Sequence, residues 1–511
     1  MSDAATVQLH DAGATCDTID SSCTPIVFVP GVMGSRIAMA AAGRTWDPDS
    51  SRAMLAWIPL LDRGRQKNRR ALSPRASGAI TLTTLSSDAL VDVSDNKALC
   101  AIFASATGKD VPDAPDLVDG DPSDLSGAEL ARERRAAMMD PYYGASRNWA
   151  SVSWGFYGSF LMFLEAEFNA ELRHPVFAFG YDWRSSCTVS GSELAKFIAN
   201  KVRDCAGAQD VVVVTHSMGG LVLRAAIKAD GSVTGKVRGV VHGAQPSNGA
   251  VVCLRRFFTG CVSTLDGGGK EGWFLNKVMG DTPARFAYNL SGCPGPLQLL
   301  PNHVYQKGAP SSDAPWLAVA GCDTLDLSDI YNLYRRYEWP GLLGPADAAQ
   351  RDVATEAEQS DNRVSAEMFA NVNTAEQFHQ SIETTAHANT LVVYGSGLAT
   401  DVRLEFDAYP VNPPPGDGDV GRIAWWAPVV VLNAGAVSKD PVLVVRKADA
   451  GDGTVPAVSG KCPGLMLARP AELGGAVEHA RAYSVPEFQN KARTMAKVLF
   501  AVPPGTSMGG G

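Results

Sequence analysis

Ser217 stands where a strand turns directly into a helix, a placement that can expose a serine hydroxyl for nucleophilic attack. Residues 211–214 are four consecutive valines, a β-branched run that reads as a fully buried strand. Residues 221–227 carry the apolar spacing of a helix. Gly219 lets strand and helix cross closely, and Gly220 lets the helix pack tightly. A serine hydroxyl is a poor nucleophile unless a base takes its proton and a carboxylate orients that base. The histidines after Ser217 are His242, His303, His379, His387 and His479. His479 follows a Gly-rich turn and precedes an amphipathic segment at about 486–500, so it is the expected base. His379 and His387 read as surface or capping residues, whereas His242 and His303 could line a cleft. The acid must end a strand upstream of His479. Asp452, between Gly451 and Gly453 and after the apolar run 441–445, is the expected carboxylate, with Asp449 its competitor.

A tetrahedral oxyanion needs two backbone donors. One is the N–H of the residue after the nucleophile, Met218. The other belongs to the Gly-rich loop 30–35 that follows the apolar strand at 25–29, with Val32 the expected donor and Met33 the alternative. His216 and Met33, flanking these positions, are assigned to substrate binding. Serine elbow, then acid, then histidine, after an early strand and glycine loop, is the chain order of the α/β-hydrolase fold. Thr215 replaces the first glycine of the usual G-x-S-x-G. The expected fold class is therefore α/β: a mostly parallel central sheet flanked by helices, with large cap or lid insertions.

The motifs at 30–35 (PGVMGS), 181–184 (YDWR), 216–219 (HSMG), 394–397 (YGSG) and 451–455 (GDGTV), followed by His479, run in the order of the lecithin:cholesterol acyltransferase-like family, which the chain resembles from residue 25 to 479. That family includes lysosomal phospholipase A2-like enzymes and bacterial relatives. The resemblance implies a lidded lipid site, acyl-ester chemistry, a Ser217–His479–Asp452 triad and oxyanion donors at Val32 and Met218. It also implies that Asp182 and Arg184 are a structural pair. The expected activity is hydrolysis of lipid acyl esters, as a phospholipase A or lipase, or acyl transfer to an alcohol. A soluble carboxylesterase and a non-catalytic binding module are the alternatives.

The elements that position these residues are spread across all 511 residues, which points to one core interrupted by insertions. Residues 24–45, 150–245 and 388–503 read as core, 46–149 and 246–387 as caps, and 504–511 as a disordered tail. In the first insertion an apolar patch at 54–61 precedes a basic run at 63–70. It reads either as a surface for an anionic bilayer or as a helix packed on the core. The Pro-rich stretch 409–419 reads as the loop of a long hairpin between strands at 402–409 and 422–431. A net charge of −9 argues against a nucleic-acid partner. No apolar run reaches the ~18 residues of a membrane span. No metal site and no cofactor are expected.

Ten cysteines suggest disulfides, with Cys16–Cys23, Cys187–Cys205, Cys253–Cys261 and Cys293–Cys322 the nearby pairs. Residues 1–22 carry acidic groups and no apolar stretch, unlike a Sec-type signal peptide. Some bacterial lipases that look like this family leave by a contractile (type VI) secretion machine. The combined expectation is a bacterial protein made in the cytoplasm, exported by a non-Sec route to a periplasm or target cell, and held by an immunity protein before delivery.

Overall fold

The structure, a computed structural model, describes residues 23–58, 62–77, 81–82, 146–169, 174–205, 207–262, 266, 275–305, 315–319, 330–335, 363–408, 422–428, 441–463, 465 and 469–508. The Pro-rich stretch at 409–419 lies outside them.

The strands are β1 (Ile26–Val29), β2 (Ile37–Met39), β3 (Arg44–Trp46), β4 (Thr81–Leu82), β5 (Val176–Ala178), β6 (Val211–His216), β7 (Val237–Gly243), β8 (Leu317–Val319), β9 (Thr390–Gly395), β10 (Leu398–Ala408), β11 (Arg422–Pro428), β12 (Pro441–Gly451) and β13 (Arg469–Leu473). Six of them form the central sheet in the order β13-β9-β7-β6-β1-β5, and every pairing in it is parallel. A parallel sheet is covered on both faces, which is why its strands read as unbroken apolar runs. Successive side chains then feed opposite cores. Val211 and Val213 join Val27, Val29, Leu194 and Leu221 on one face. Val212 and Val214 join Phe28, Phe160, Tyr483, Phe488 and Leu499 on the other. Burying each such valine stabilises the fold by roughly 1.5–3 kcal/mol.

The helices Cys187–Asp204 and Met218–Ala229 cover the first face, packed so closely that a Cβ on Gly191 would strike Ala225. The helices Trp154–Phe168 and Pro486–Phe500 cover the second. Among the described residues, no helix is long and apolar enough to cross a membrane.

Three expectations are corrected, and one left open between two readings is decided. The strands β10 and β11 do not form a hairpin: β12 lies between them, antiparallel to both, in a separate sheet ordered β11-β12-β10-β8. Of the two readings of the apolar patch at 54–61, packing on the core is the one that Met54 and Trp57 follow. Both are buried, with the Trp57 indole donating to the Thr45 carbonyl and its ring set edge-on to Trp46. The expected tail is ordered as far as Met508. The Asn389 side chain donates to the Thr506 carbonyl and accepts from the Met508 N–H, at 2.8 and 2.6 Å.

The third correction concerns the disulfides. Cys187, Cys253, Cys261 and Cys293 are free thiols, so the expected pairs that use them are not made. Cys187 opens an 18-residue helix and Cys205 follows it, about 27 Å apart at 1.5 Å per residue. A disulfide needs the two Cα atoms within about 7 Å. The Cys293 thiol instead donates to the Leu72 carbonyl at 2.8 Å. Cys16 and Cys322 lie outside the described residues.

Candidate active site

Ser217 occupies the turn between β6 and the Met218–Ala229 helix with φ +51° and ψ −125°. A non-glycine residue at positive φ is strained and persists only where its surroundings hold it. Here its N–H donates to the Gly243 carbonyl at the end of β7, and its carbonyl accepts from Gly220 N–H. The two glycines after it serve close approach. A Cβ on Gly219 would lie 2.5 Å from the Val29 carbonyl oxygen and 2.6 Å from that of Pro30. Gly219→Ala should therefore push β1 and its loop out of place. The expected loss is about 1–3 kcal/mol, seen as an earlier thermal transition; an unchanged melt would refute the close crossing.

The structure brings three of the sequence-predicted residues into one hydrogen-bonded line. His479 Nε2 lies 2.8 Å from Ser217 Oγ, and His479 Nδ1 lies 2.8 Å from Asp452 Oδ2. Asp452 follows β12 directly. Its other oxygen, Oδ1, accepts from the Thr454 and Val455 N–H groups at 3.0 and 2.6 Å. The His479 main-chain N–H also donates to the Asp452 carbonyl, so backbone and side chain of the aspartate both hold the histidine. Asp449 lies exposed on β12 opposite Thr400, away from this line. Ser217 is 3% exposed, so an ester must enter a covered site.

The loop 30–35 lies beside Ser217 because β1 pairs with β6, setting Val29 opposite Thr215. Gly34 N–H donates to the Gly31 carbonyl, closing a tight turn, and Met33 sits at its apex with φ +64°. Among the described residues neither Val32 N–H nor Met218 N–H donates to a backbone oxygen. The Met33 carbonyl accepts from the Trp46 indole at 3.0 Å, which ties the loop to β3.

The other histidines do not join the line. His242 on β7 is buried with Nδ1 2.8 Å from Thr215 Oγ1. That contact gives Thr215 a role at the position where a glycine is usual. His303 pairs with Glu383, His379 lies between Tyr331 and the Gln298 carbonyl, and His387 is buried beside Asn389. His216 does not meet its substrate-binding assignment. It is buried, and both ring nitrogens are engaged by protein, by Tyr157 OH and by the His479 carbonyl, which leaves no polar atom for a ligand. Tyr157, Tyr483 and Asp49 also bear on the site, although no sequence motif marks them. The Tyr483 hydroxyl donates to the Thr215 carbonyl, and Asp49 caps the helix that carries Tyr157.

The Asp182–Arg184 pair is structural in the described geometry. The guanidinium grips both carboxylate oxygens at 2.7 Å and also reaches the Ala71 carbonyl and Ser77 in the first insertion. Among the described residues, no group of three or more His, Cys, Asp or Glu could hold a metal ion.

Burial holds several histidines neutral. His216 is depressed to about 3, by burial first and then by neighbouring His479. His242 is depressed to about 3 by burial, with Arg224 and His387 adding to it. His379 is depressed to about 4, again by burial. The unfolded chain binds these protons near pH 6.5 and the folded chain does not, so stability falls as pH drops below about 6.5. Each histidine contributes about 1.4 kcal/mol per pH unit in that window. Asp49 and Glu165, whose carboxyls burial pushes up, act in the opposite direction. With His387, likewise depressed by burial, four histidines stand against two carboxyls, and the melting temperature is expected to be lower at pH 5 than at pH 7. Equal melts would count against neutral burial of these imidazoles.

An all-parallel sheet, a strained serine elbow and a histidine from a late loop together define an α/β-hydrolase fold. A family model described as a PGAP1-like alpha/beta domain matches residues 195–269, the segment that contains the elbow. The solved structure described as the Tle4–Tli4 complex superposes with a TM-score of 0.61 at 18% identity, covering 95% of this chain and 100% of that one. None of the curated proteins matches the sequence significantly.

Proposed function

We propose that the protein hydrolyses acyl esters of lipids, as a phospholipase A or lipase, through a covalent acyl-serine. The observation that carries the reading is the 2.8 Å and 2.8 Å line from Ser217 through His479 to Asp452. In this reading His479 Nε2 takes the Ser217 proton as Oγ attacks the ester carbonyl. Asp452 holds the imidazole with its Nδ1 proton and stabilises the imidazolium that forms. The N–H groups of Val32 and Met218 take the negative oxygen, and Met33 borders the acyl chain. His479 then protonates the leaving alcohol. Water resolves the ester in a hydrolase, and a second alcohol such as a sterol resolves it in an acyltransferase.

The lipid class rests on the order of motifs in which the chain resembles the lecithin:cholesterol acyltransferase-like family. Because Tle4 is seen in complex with Tli4, the proposal extends to a dedicated partner protein that binds this chain.

The test incubates wild type with mixed phospholipid vesicles, with and without cholesterol, and follows products by mass spectrometry. Fatty acid and lysophospholipid mark a phospholipase A, and sterol ester marks an acyltransferase. Turnover of a short soluble ester without lipid product favours the carboxylesterase. Failure of a fluorophosphonate to label the protein would leave a binding module.

A further inference from the structure

Two residues outside the serine–histidine–aspartate line join its two halves. Gly31 N–H donates to the Tyr157 hydroxyl oxygen at 3.1 Å. Tyr157 OH lies 2.9 Å from His216 Nδ1, and His216 Nε2 lies 2.9 Å from the carbonyl oxygen of His479. The proton positions follow from the two ends. A backbone N–H only donates and a carbonyl oxygen only accepts. His216 therefore carries its proton on Nε2, its Nδ1 is a bare lone pair, and the Tyr157 hydroxyl donates to it while accepting from Gly31. We propose that Tyr157 and His216 are positioning residues that lock the glycine loop and the base loop in register for the ester hydrolysis proposed above, on which this inference rests.

The relay spans elements far apart in the chain. Gly31 immediately precedes Val32, the proposed oxyanion donor, and His479 is the proposed base. Tyr157 is fixed from both sides. Its ring packs on Phe28, and its helix starts under Asp49, which accepts from Ser153 Oγ and from the Trp154 and Gly155 N–H groups. His216 is enclosed by Tyr157, Tyr483 and His479, with ring centroids 5.6, 5.5 and 5.1 Å away. A charged ring there would oppose the positive charge that His479 must take up, and burial keeps His216 neutral. A side chain at Gly31 would crowd this arrangement, since its Cβ would lie 3.0 Å from that of Ser217 and 3.1 Å from His216 Nδ1, so that these groups would have to give way.

Tyr157→Phe keeps the ring and removes the hydroxyl that serves both neighbours. Measured on a soluble nitrophenyl ester, kcat is expected to fall about ten- to a hundredfold with KM within about twofold, the pattern of misplaced groups rather than lost binding. The rate of fluorophosphonate labelling should fall in parallel. His216→Asn, too short to reach both partners, should give a similar loss. The double variant should be no slower than the worse single one, because residues acting as one unit are non-additive. A folded Tyr157→Phe with wild-type kcat, or single losses that multiply in the double variant, overturns the relay. If Tyr157→Phe does not fold, His216→Asn carries the test, and its wild-type kcat overturns the relay equally. An inactive, unlabelled wild type overturns the hydrolase reading itself, an outcome separate from an active wild type with an unaffected Tyr157→Phe.

Discussion

Ser217→Ala is expected to lower kcat for ester hydrolysis about a millionfold and to abolish fluorophosphonate labelling, while the melting temperature barely moves. The loss is large because the serine oxygen is the atom that forms the acyl bond, and no other described residue stands ready to replace it. His216 is occupied on both nitrogens and the cysteines Cys187, Cys261 and Cys293 have thiols that burial pushes well up, so none of these offers a ready nucleophile. Stability is spared because the elbow is held by its main chain, Ser217 N–H to Gly243 O and Gly220 N–H to Ser217 O, which alanine keeps. The residual activity over water, about 10³–10⁴, is what the oxyanion donors and binding supply without a nucleophile. Wild-type turnover in the variant would move the chemistry to another residue and undo the proposed mechanism.

Much of this arrangement is legible in the sequence because its determinants are local. Four valines, a serine and two glycines specify a buried strand, an elbow and a tightly packed helix without reference to anything distant. What is illegible depends on pairing. The run at 422–428 looks like the partner of the strand before the Pro-rich loop, yet β12 supplies the partner for both, and no alternation pattern records which edges meet. His216 sits one residue from Ser217, and proximity in sequence suggested a substrate contact. The alternation of side chains along β6 turns it instead to Tyr157, whose place in an apolar helix marks it only as core. The Cys187–Cys205 pair is excluded for a geometric reason. Neighbours in sequence on a straight helix are separated in space by the helix rise. The acid was ambiguous because Asp449 and Asp452 share one polar turn. They differ only in that β12 continues past Asp449 and releases the chain at Gly451.

Asp452→Asn isolates the electrostatic half of the site, and its effect follows from the hydrogen bonds of the native carboxylate. Oδ1 accepts from two main-chain N–H groups, those of Thr454 and Val455. An asparagine must place its carbonyl oxygen there, because its NH2 would face two donors. Its NH2 is then forced into the position of Oδ2 and donates to His479 Nδ1, which in the native site is 2.8 Å from that oxygen. A histidine that accepts at Nδ1 carries its proton on Nε2, and an Nε2–H points at Ser217 Oγ as a donor. The base is thus present, in place and in the wrong tautomer. The expected loss in kcat is about 10⁴, as for other triads in which this carboxylate becomes an amide. The fold should hold, since the His479 N–H still donates to the Asp452 main-chain carbonyl and the turn to Val455 is unchanged. Asp449→Asn, on the exposed face of β12, should leave kcat at the wild-type level. Comparable losses in the two variants would mean that net charge near the loop, rather than the tautomer of His479, is what the carboxylate contributes.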